Sequence, residues 1–192
     1  MSLVLYGTPR SHFTRIVRIL GHELGLEYQW IDVGNIGTAE AFGGNPLMAV
    51  PVLADGDRTI WNSHDICRYL VEREQADPLG VETLDWMGRR FLTVIHGVMN
   101  AEVRLILAER SGLETRGVVV FDKTRETIRQ GLGWLDANVE TYRGLTYPAV
   151  CVTAMWDHLL FYDNASRVDA PAICSVVDAL QERKSVIDTR PI

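Results

Sequence analysis

A proline stands at the mouth of a strand in Val50-Pro51-Val52-Leu53, and this placement constrains the chain more than any other feature. Proline has no N–H to give to a ladder, so it is excluded from a paired strand except at an edge, a bulge or a first residue. Val52 and Leu53 still read as strand. Val50-Pro51 is therefore expected to make a tight turn with a cis bond, or to be an ordinary turn proline. In the first case the Val50 N–H and C=O face outward, where an extended peptide can pair with them. A hairpin later comes Trp61-Asn62-Ser63-His64-Asp65-Ile66. Ser63 is expected to cap the helix that begins there and to offer its hydroxyl and backbone N–H groups to a carboxylate.

The segment before the proline reads as a strand, a helix and a strand. Leu3-Val4-Leu5-Tyr6 is a short apolar run, and Thr8-Pro9-Arg10-Ser11 is a turn ending in a good capping residue. Phe13, Ile16, Val17, Ile19 and Leu20 give the following helix its apolar face, and Gly25 ends it. Tyr28-Gln29-Trp30-Ile31 resumes as a strand. A helical crossover of that length makes the two strands parallel. Residues 34–44 are expected to hold a loop and one short helix from Thr38 to Phe42. Val52-Leu53-Ala54, Asp55-Gly56-Asp57 and Thr59-Ile60-Trp61 form strand, turn and strand, with Asp-Gly the hairpin signal. The helix from Ser63 to Glu74 closes a β-α-β-α-β-β-α layer with a mixed sheet.

Composition changes at Gln75-Ala76-Asp77-Pro78-Leu79-Gly80, a polar stretch with proline and glycine. The expected division is an α/β domain over 1–76, a linker over 77–82 and an all-helical domain over 83–192. Leu84, Met87, Phe91, Ile95, Met99, Val103 and Ile106 form one stripe of a long helix, and Ile128, Leu132, Leu135, Val139 and Tyr142 form a second. Between Pro148 and Tyr162 nearly every residue is apolar, so that helix is expected at the centre of the second domain, capped by Thr146. A shorter helix from Ala170 to Glu182 and an irregular tail follow.

Charge and cysteine usage exclude several classes. The net charge of −6 carries no basic stripe, which argues against nucleic acid as a partner. Cys67, Cys151 and Cys174 are an odd, scattered set, without the paired spacing of a zinc site or a disulfide framework. No His/Cys/Asp/Glu spacing suggests a metal. The apolar runs, such as Ala149 to Met155, read as too short to cross a bilayer, and the opening residues do not read as a leader. The cytosol is the expected compartment.

An α/β layer joined by a short linker to a helical domain resembles the soluble glutathione transferases, serine-type and bacterial-like, over almost the whole chain. The resemblance is carried by Leu5-Tyr6-Gly7, Ser11 through Arg18, Gly25 through Tyr28, Asn45-Pro46, Val50-Pro51-Val52-Leu53 and Ser63 through Leu70, in that order and spacing, with Thr146 and Arg183-Lys184-Ser185-Val186 in the second half. It implies a thioredoxin-like N-terminal domain, an all-α C-terminal bundle, glutathione as co-substrate without a metal, and a homodimer. Carried over residue by residue, Val50 and Pro51 hold the cysteinyl main chain, while Asn62 and Ser63 hold the γ-glutamyl group. Ser11 donates to the sulfur and favours its thiolate. Tyr6 is the rival partner for the thiol, and Ser11 can equally be a plain helix cap. Met99, Val103 and Phe161, with Trp156, are candidates to line the site of an apolar electrophile in the cleft with the second domain, or else core.

Three positions depart from the pattern. Met48-Ala49 replaces a glycine and a basic residue expected at the glycine carboxylate, Asn62 replaces an acid, and Ala149 replaces the acid of a capping box after Thr146. The expected activity is attack by the glutathione thiolate on an apolar electrophile. The competing expectation is a binding or regulatory module that keeps the fold without catalysis. Reduction through a reactive cysteine fits poorly, because position 11 is serine and Cys67 falls inside a helix.

Overall fold

The structure, a computed structural model, describes residues 2–34, 38–165 and 168–192. The chain divides into two compact units, one made of residues up to Thr83 together with Glu182–Ile192, the other of Leu84–Gln181. The sequence-based division assigned 182–192 to the helical half; here that segment clusters with the first unit, for reasons that lie in its bonds to the first helix.

In the first unit, β1 (Leu3–Gly7), β2 (Tyr28–Asp32), β3 (Val52–Asp55) and β4 (Arg58–Trp61) form one mixed sheet in the order β2-β1-β3-β4. β1 runs parallel to β2 and antiparallel to β3, and β3 pairs antiparallel with β4 across the Asp-Gly turn. The first two strands are linked by α1 (His12–Glu23), as the crossover length demands. Ile16, Val17, Ile19 and Leu20 of α1 are buried, as are Leu3, Leu5 and Leu53 on the sheet face that α1 covers. A Cβ at Gly7 would stand 2.4 Å from the Thr14 methyl and 2.8 Å from Trp30, so only glycine lets α1 approach β1 this closely. α2 (Ser63–Glu74) follows β4 and is tied back to the hairpin: Tyr69 donates to Asp55 at 2.9 Å and Arg73 pairs with the same carboxylate at 3.0 Å. Asp77 accepts from the Val81 and Glu82 N–H groups and fixes the turn beyond α2.

The short helix expected from Thr38 to Phe42 is instead a series of turns over 39–44, closed by Phe42 N–H to Ala39 and Gly43 N–H to Glu40. Gly43 and Gly44, both at positive φ, stop helical propagation there. Positions 35–37 of the expected loop lie outside the described residues.

The second unit is helical: α3 (Trp86–Arg110), α4 (Val119–Asp136), a 3-10 turn (Val139–Tyr142), α5 (Tyr147–Phe161) and α6 (Pro171–Asp178). Thr146 caps α5, accepting from the Ala149 N–H at 3.3 Å. Residues Tyr147 to Trp156 of α5 are all buried, which puts that helix at the core. α3 and α4 cross closely at Gly131, where a Cβ would meet the Val98 side chain at 2.4 Å. The second apolar stripe does not stay on one helix, since Val139 and Tyr142 fall on the 3-10 turn after α4 ends. α3 corrects the expectation that no segment could reach across a bilayer. By length and composition it could, yet 56% of its most apolar stretch is buried inside the structure, with Phe91, Ile95 and Met99 facing the core.

Candidate functional site

The sheet register gathers three expected site elements at one end of the first unit. Tyr6, at the end of β1, pairs with Val52 at the start of β3, and Val52 pairs with Trp61 at the end of β4. Ser11 follows β1, Val50 and Pro51 precede β3, and Asn62 and Ser63 follow β4. All five therefore leave the sheet at the same edge of the same three adjacent strands.

The Val50–Pro51 peptide bond is cis, and Pro51 is buried. Ladder pairing of β3 begins only at Val52, so the main chain of Val50 lies beyond the sheet. No hydrogen bond among the described residues engages its N–H or C=O. The loop ahead of it is held by Asn45, which is 3% exposed. Asn45 donates from Nδ2 to the Ala49 carbonyl at 2.8 Å and accepts the Leu47 N–H at 3.0 Å, while its own carbonyl accepts the Met48 N–H. That loop presents Leu47 and Met48 to solvent, with Met48 at φ 48° in the left-handed region. Asn45 was legible in the sequence only as half of the Asn45-Pro46 pair; a buried asparagine bonding two and four residues ahead is a turn device that side-chain chemistry alone suggests.

The helix caps differ from expectation at α2. Asn62 is the N-cap, its Oδ1 accepting the His64 N–H at 2.9 Å, and Ser63 is the first helical residue. Asparagine wins because its longer side chain reaches back over the first turn while its backbone takes φ 71°, a conformation asparagine tolerates better than serine. Ser63 is thereby released from capping. Ser63 is 1% exposed and its Oγ has no hydrogen-bond partner among the described residues. A buried hydroxyl left unpaired costs on the order of 1–3 kcal/mol, so an acceptor brought to it gains what the free protein forgoes.

Ser11 is the N-cap of α1, its Oγ accepting the Thr14 N–H at 3.1 Å. Accepting leaves the hydroxyl hydrogen available to donate. Tyr6, the rival, turns its ring toward the 39–44 turns: two ring atoms lie 3.1 Å from where a Gly43 Cβ would stand. Leu3, Leu5 and Gly7 alternate with it and are the buried set, with Gly7 against Thr14 of α1. Tyr6 thus points to the sheet face opposite α1, the helix that carries Ser11.

In the second unit, Met99 is fully buried on α3, Val103 is half-buried one turn further on, and Phe161 ends α5 at 44% exposure. Trp156 is buried. The same unit buries a Glu102–His158 pair at 2.7 Å, with Asn164 donating to the other carboxylate oxygen at 3.3 Å. Cys67 and Cys151 are buried within helices, and burial, helped by Asp178 and Asp136, pushes the Cys174 thiol up.

Residues 10–73 match the family model of the glutathione S-transferase N-terminal domain. A probable glutathione S-transferase of rice (Oryza sativa subsp. japonica) is 34% identical over 80 residues, 39% of this chain and 37% of that protein. Glutathione S-transferase 4 of maize (Zea mays) is 25% identical over 148 residues, 71% of this chain and 66% of its own length. The chain thus spans about a third to two thirds of the curated relatives it matches. Over its full length it superposes on a glutathione transferase family member of Pseudomonas fluorescens Pf-5 with bound glutathione, at 25% identity and a TM-score of 0.83, covering all of both chains. The glutathione S-transferase of Methylobacillus flagellatus, also with glutathione bound, has the same fold at 24% identity and a TM-score of 0.80, again over both whole chains.

Proposed function

We propose that the chain is a glutathione S-transferase-like protein, that it binds glutathione at the Ser11, Val50 and Ser63 edge of its first unit, and that it activates the thiol for attack on an apolar electrophile. The observation that carries this reading is the register Tyr6–Val52–Trp61, which brings an unpaired main-chain edge, an unpaired buried hydroxyl and a helix-capping hydroxyl to one end of three neighbouring strands.

Each group has a chemical task. The Val50 N–H and C=O pair with the cysteinyl main chain, as a strand added to an edge does. Ser63, in the first turn of α2, donates to the γ-glutamyl carboxylate, which the helix N-terminus also favours. Asn62 spends its Oδ1 on the cap, so it attracts the γ-glutamyl ammonium less than an acid would. Ser11 donates its hydroxyl hydrogen to the sulfur while its Oγ accepts from Thr14. A helix end alone contributes roughly 0.3–1 kcal/mol at an exposed site, less than one pKa unit, so the hydroxyl supplies the rest. The thiolate then attacks an electrophilic carbon; the sulfur–carbon bond forms as the leaving group departs or as a double bond accepts the electron pair. Met99, Val103 and Phe161 are the proposed acceptor-side residues, the protein acts in the cytosol, and the assembly is a homodimer. Sedimentation as a monomer at micromolar concentration contradicts the last point.

Calorimetry with glutathione and turnover with an activated chloronitrobenzene test the reading. Wild type is expected to bind and turn over, Ser63→Ala to lose about tenfold in affinity, and Ser11→Ala to keep affinity within about threefold while turnover falls ten- to a hundredfold. Absence of glutathione binding by wild type favours the non-catalytic module, for which Met48, Ala49 and Asn62 are the motivating residues. Turnover unchanged in Ser11→Ala moves the thiol role to Tyr6 or to a backbone donor.

A further inference from the structure

We propose that Arg15 is a positioning residue for thiol activation, fixing Ser11 by hooking α1 to the segment 183–192; this rests on the role given to Ser11 above. Arg15 lies one turn into α1, and its N–H donates to the Ser11 carbonyl at 2.9 Å, the first intrahelical bond. Any shift of the Arg15 backbone is passed directly to Ser11. The Arg15 side chain is only 2% exposed, and its guanidinium reaches the Val186 carbonyl and the Thr189 hydroxyl, each at 3.4 Å, more than 170 residues away in sequence.

Arg15 is the centre of a wider grip within the first unit. Arg10, just before α1, donates to the Ile192 main-chain oxygen at 2.9 Å, and Arg18, one turn after Arg15, donates to the Asp188 carbonyl at 3.0 Å. At the far end of α1, Glu23 accepts from Arg183 at 2.7 Å and from Ser185 at 2.6 Å. The segment carries a short helix, α7 (Lys184–Ile187), and Thr189 donates back to the Ser185 carbonyl. α1 is thus held to β1 by the Gly7–Thr14 approach and to the segment 183–192 at several points along its length. Two of these contacts, Arg15 to Val186 and Arg18 to Asp188, pair a guanidinium with a peptide carbonyl rather than a side-chain carboxylate. That choice fixes position through geometry and is indifferent to side-chain charge on the segment.

The consequence is a division of labour. Val50 and Ser63 belong to the β3 approach and to α2, which the segment does not grip through these bonds, so loosening the clasp is predicted to disturb the sulfur end of the ligand and spare the peptide end. Misplacing a reacting group by about 1 Å costs on the order of a hundredfold; a partial loosening therefore predicts about tenfold.

The test compares wild type, Arg15→Met, Arg15→Lys and Thr189→Val in glutathione calorimetry, turnover with an activated chloronitrobenzene, and the pH dependence of kcat/KM. The expected result is a kcat about tenfold lower in Arg15→Met, with the acid limb moved up by roughly half a unit to one unit. Glutathione affinity stays within about twofold, Arg15→Lys recovers part of the loss, and Thr189→Val shows the same pattern at two- to threefold. Should Arg15→Met fail to fold, the near-isosteric Thr189→Val carries the test. A lowered melting temperature with kcat and acid limb unchanged in Thr189→Val and Arg15→Lys assigns Arg15 a stabilising role alone and overturns the proposal. A parallel loss of glutathione affinity overturns it too. Wild type that does not bind glutathione removes the reading of Ser11 and the proposal with it, an outcome distinct from both.

Discussion

Residue 48 shows most plainly how this chain departs from the expected pattern. The resemblance placed a glycine there, and the structure has a methionine with a left-handed backbone, at φ 48°. A non-glycine residue in that region costs about 1–2 kcal/mol, and glycine would give back roughly 0.5–1 kcal/mol in chain entropy. Met48→Gly is therefore predicted to stabilise the protein by about 0.5–1 kcal/mol in urea unfolding; a loss of stability would show that the methionine side chain contributes more than its backbone costs. The same scale separates what the residues could reveal from what they could not. The cis bond at Pro51 was legible as one of two readings, the other being an ordinary turn proline, because a proline against a strand has few other solutions. The exchange of capping from Ser63 to Asn62 was not. Both residue types cap well, and the outcome depends on which backbone takes the positive φ, a matter of how β4 hands over to α2.

Elements were legible wherever hydrophobic period and a punctuating residue agreed. α1 begins after Ser11 and ends at Gly25, α2 runs from Ser63 to Glu74, and α5 starts behind Thr146. They failed to agree at 38–42 and at 139–142, where glycines or a chain reversal interrupt a stripe that periodicity alone would continue. Close approaches between elements were silent in the sequence, because a glycine inside a helix reads as a weakness until its neighbour is known. Gly131 on α4 is the clearest example. A methyl group there meets Val98 at 2.4 Å, so Gly131→Ala is predicted to lose about 1–3 kcal/mol despite its better helix propensity. A gain near 1 kcal/mol in thermal or chemical unfolding would mean that α3 and α4 can part without cost.

At the scale of the whole molecule, the division into an α/β and a helical half was readable from the composition change near residue 77. The return of 182–192 to the first unit was not, because the bonds that bring it back span 160 residues and more and leave no local pattern. That return has a pH signature. Burial pushes the Glu23 carboxyl up, but hydrogen bonds from Arg183 and Ser185 and the Arg183 charge outweigh it and hold Glu23 below its ordinary value of 4.5. A carboxyl lowered on folding contributes stability that is complete above 4.5 and is lost as the pH falls through its folded value. Glu23→Gln is accordingly predicted to flatten the loss of stability below about pH 4.5 relative to wild type while lowering stability at neutral pH. Parallel acid-unfolding curves for the two proteins would mean that Glu23 is not held by the segment in solution.

The edge formed by Ser11, Val50 and Ser63 is proposed to hold glutathione with its sulfur ionised. Titrating the ultraviolet absorbance of the thiolate in the glutathione complex measures this directly. The predicted result is a bound thiol that ionises at least one unit below the roughly 8.5 of a free cysteine thiol, moving back toward that value in Ser11→Ala. A bound thiol that titrates as it does in free solution, with Ser11→Ala making no difference, would contradict it.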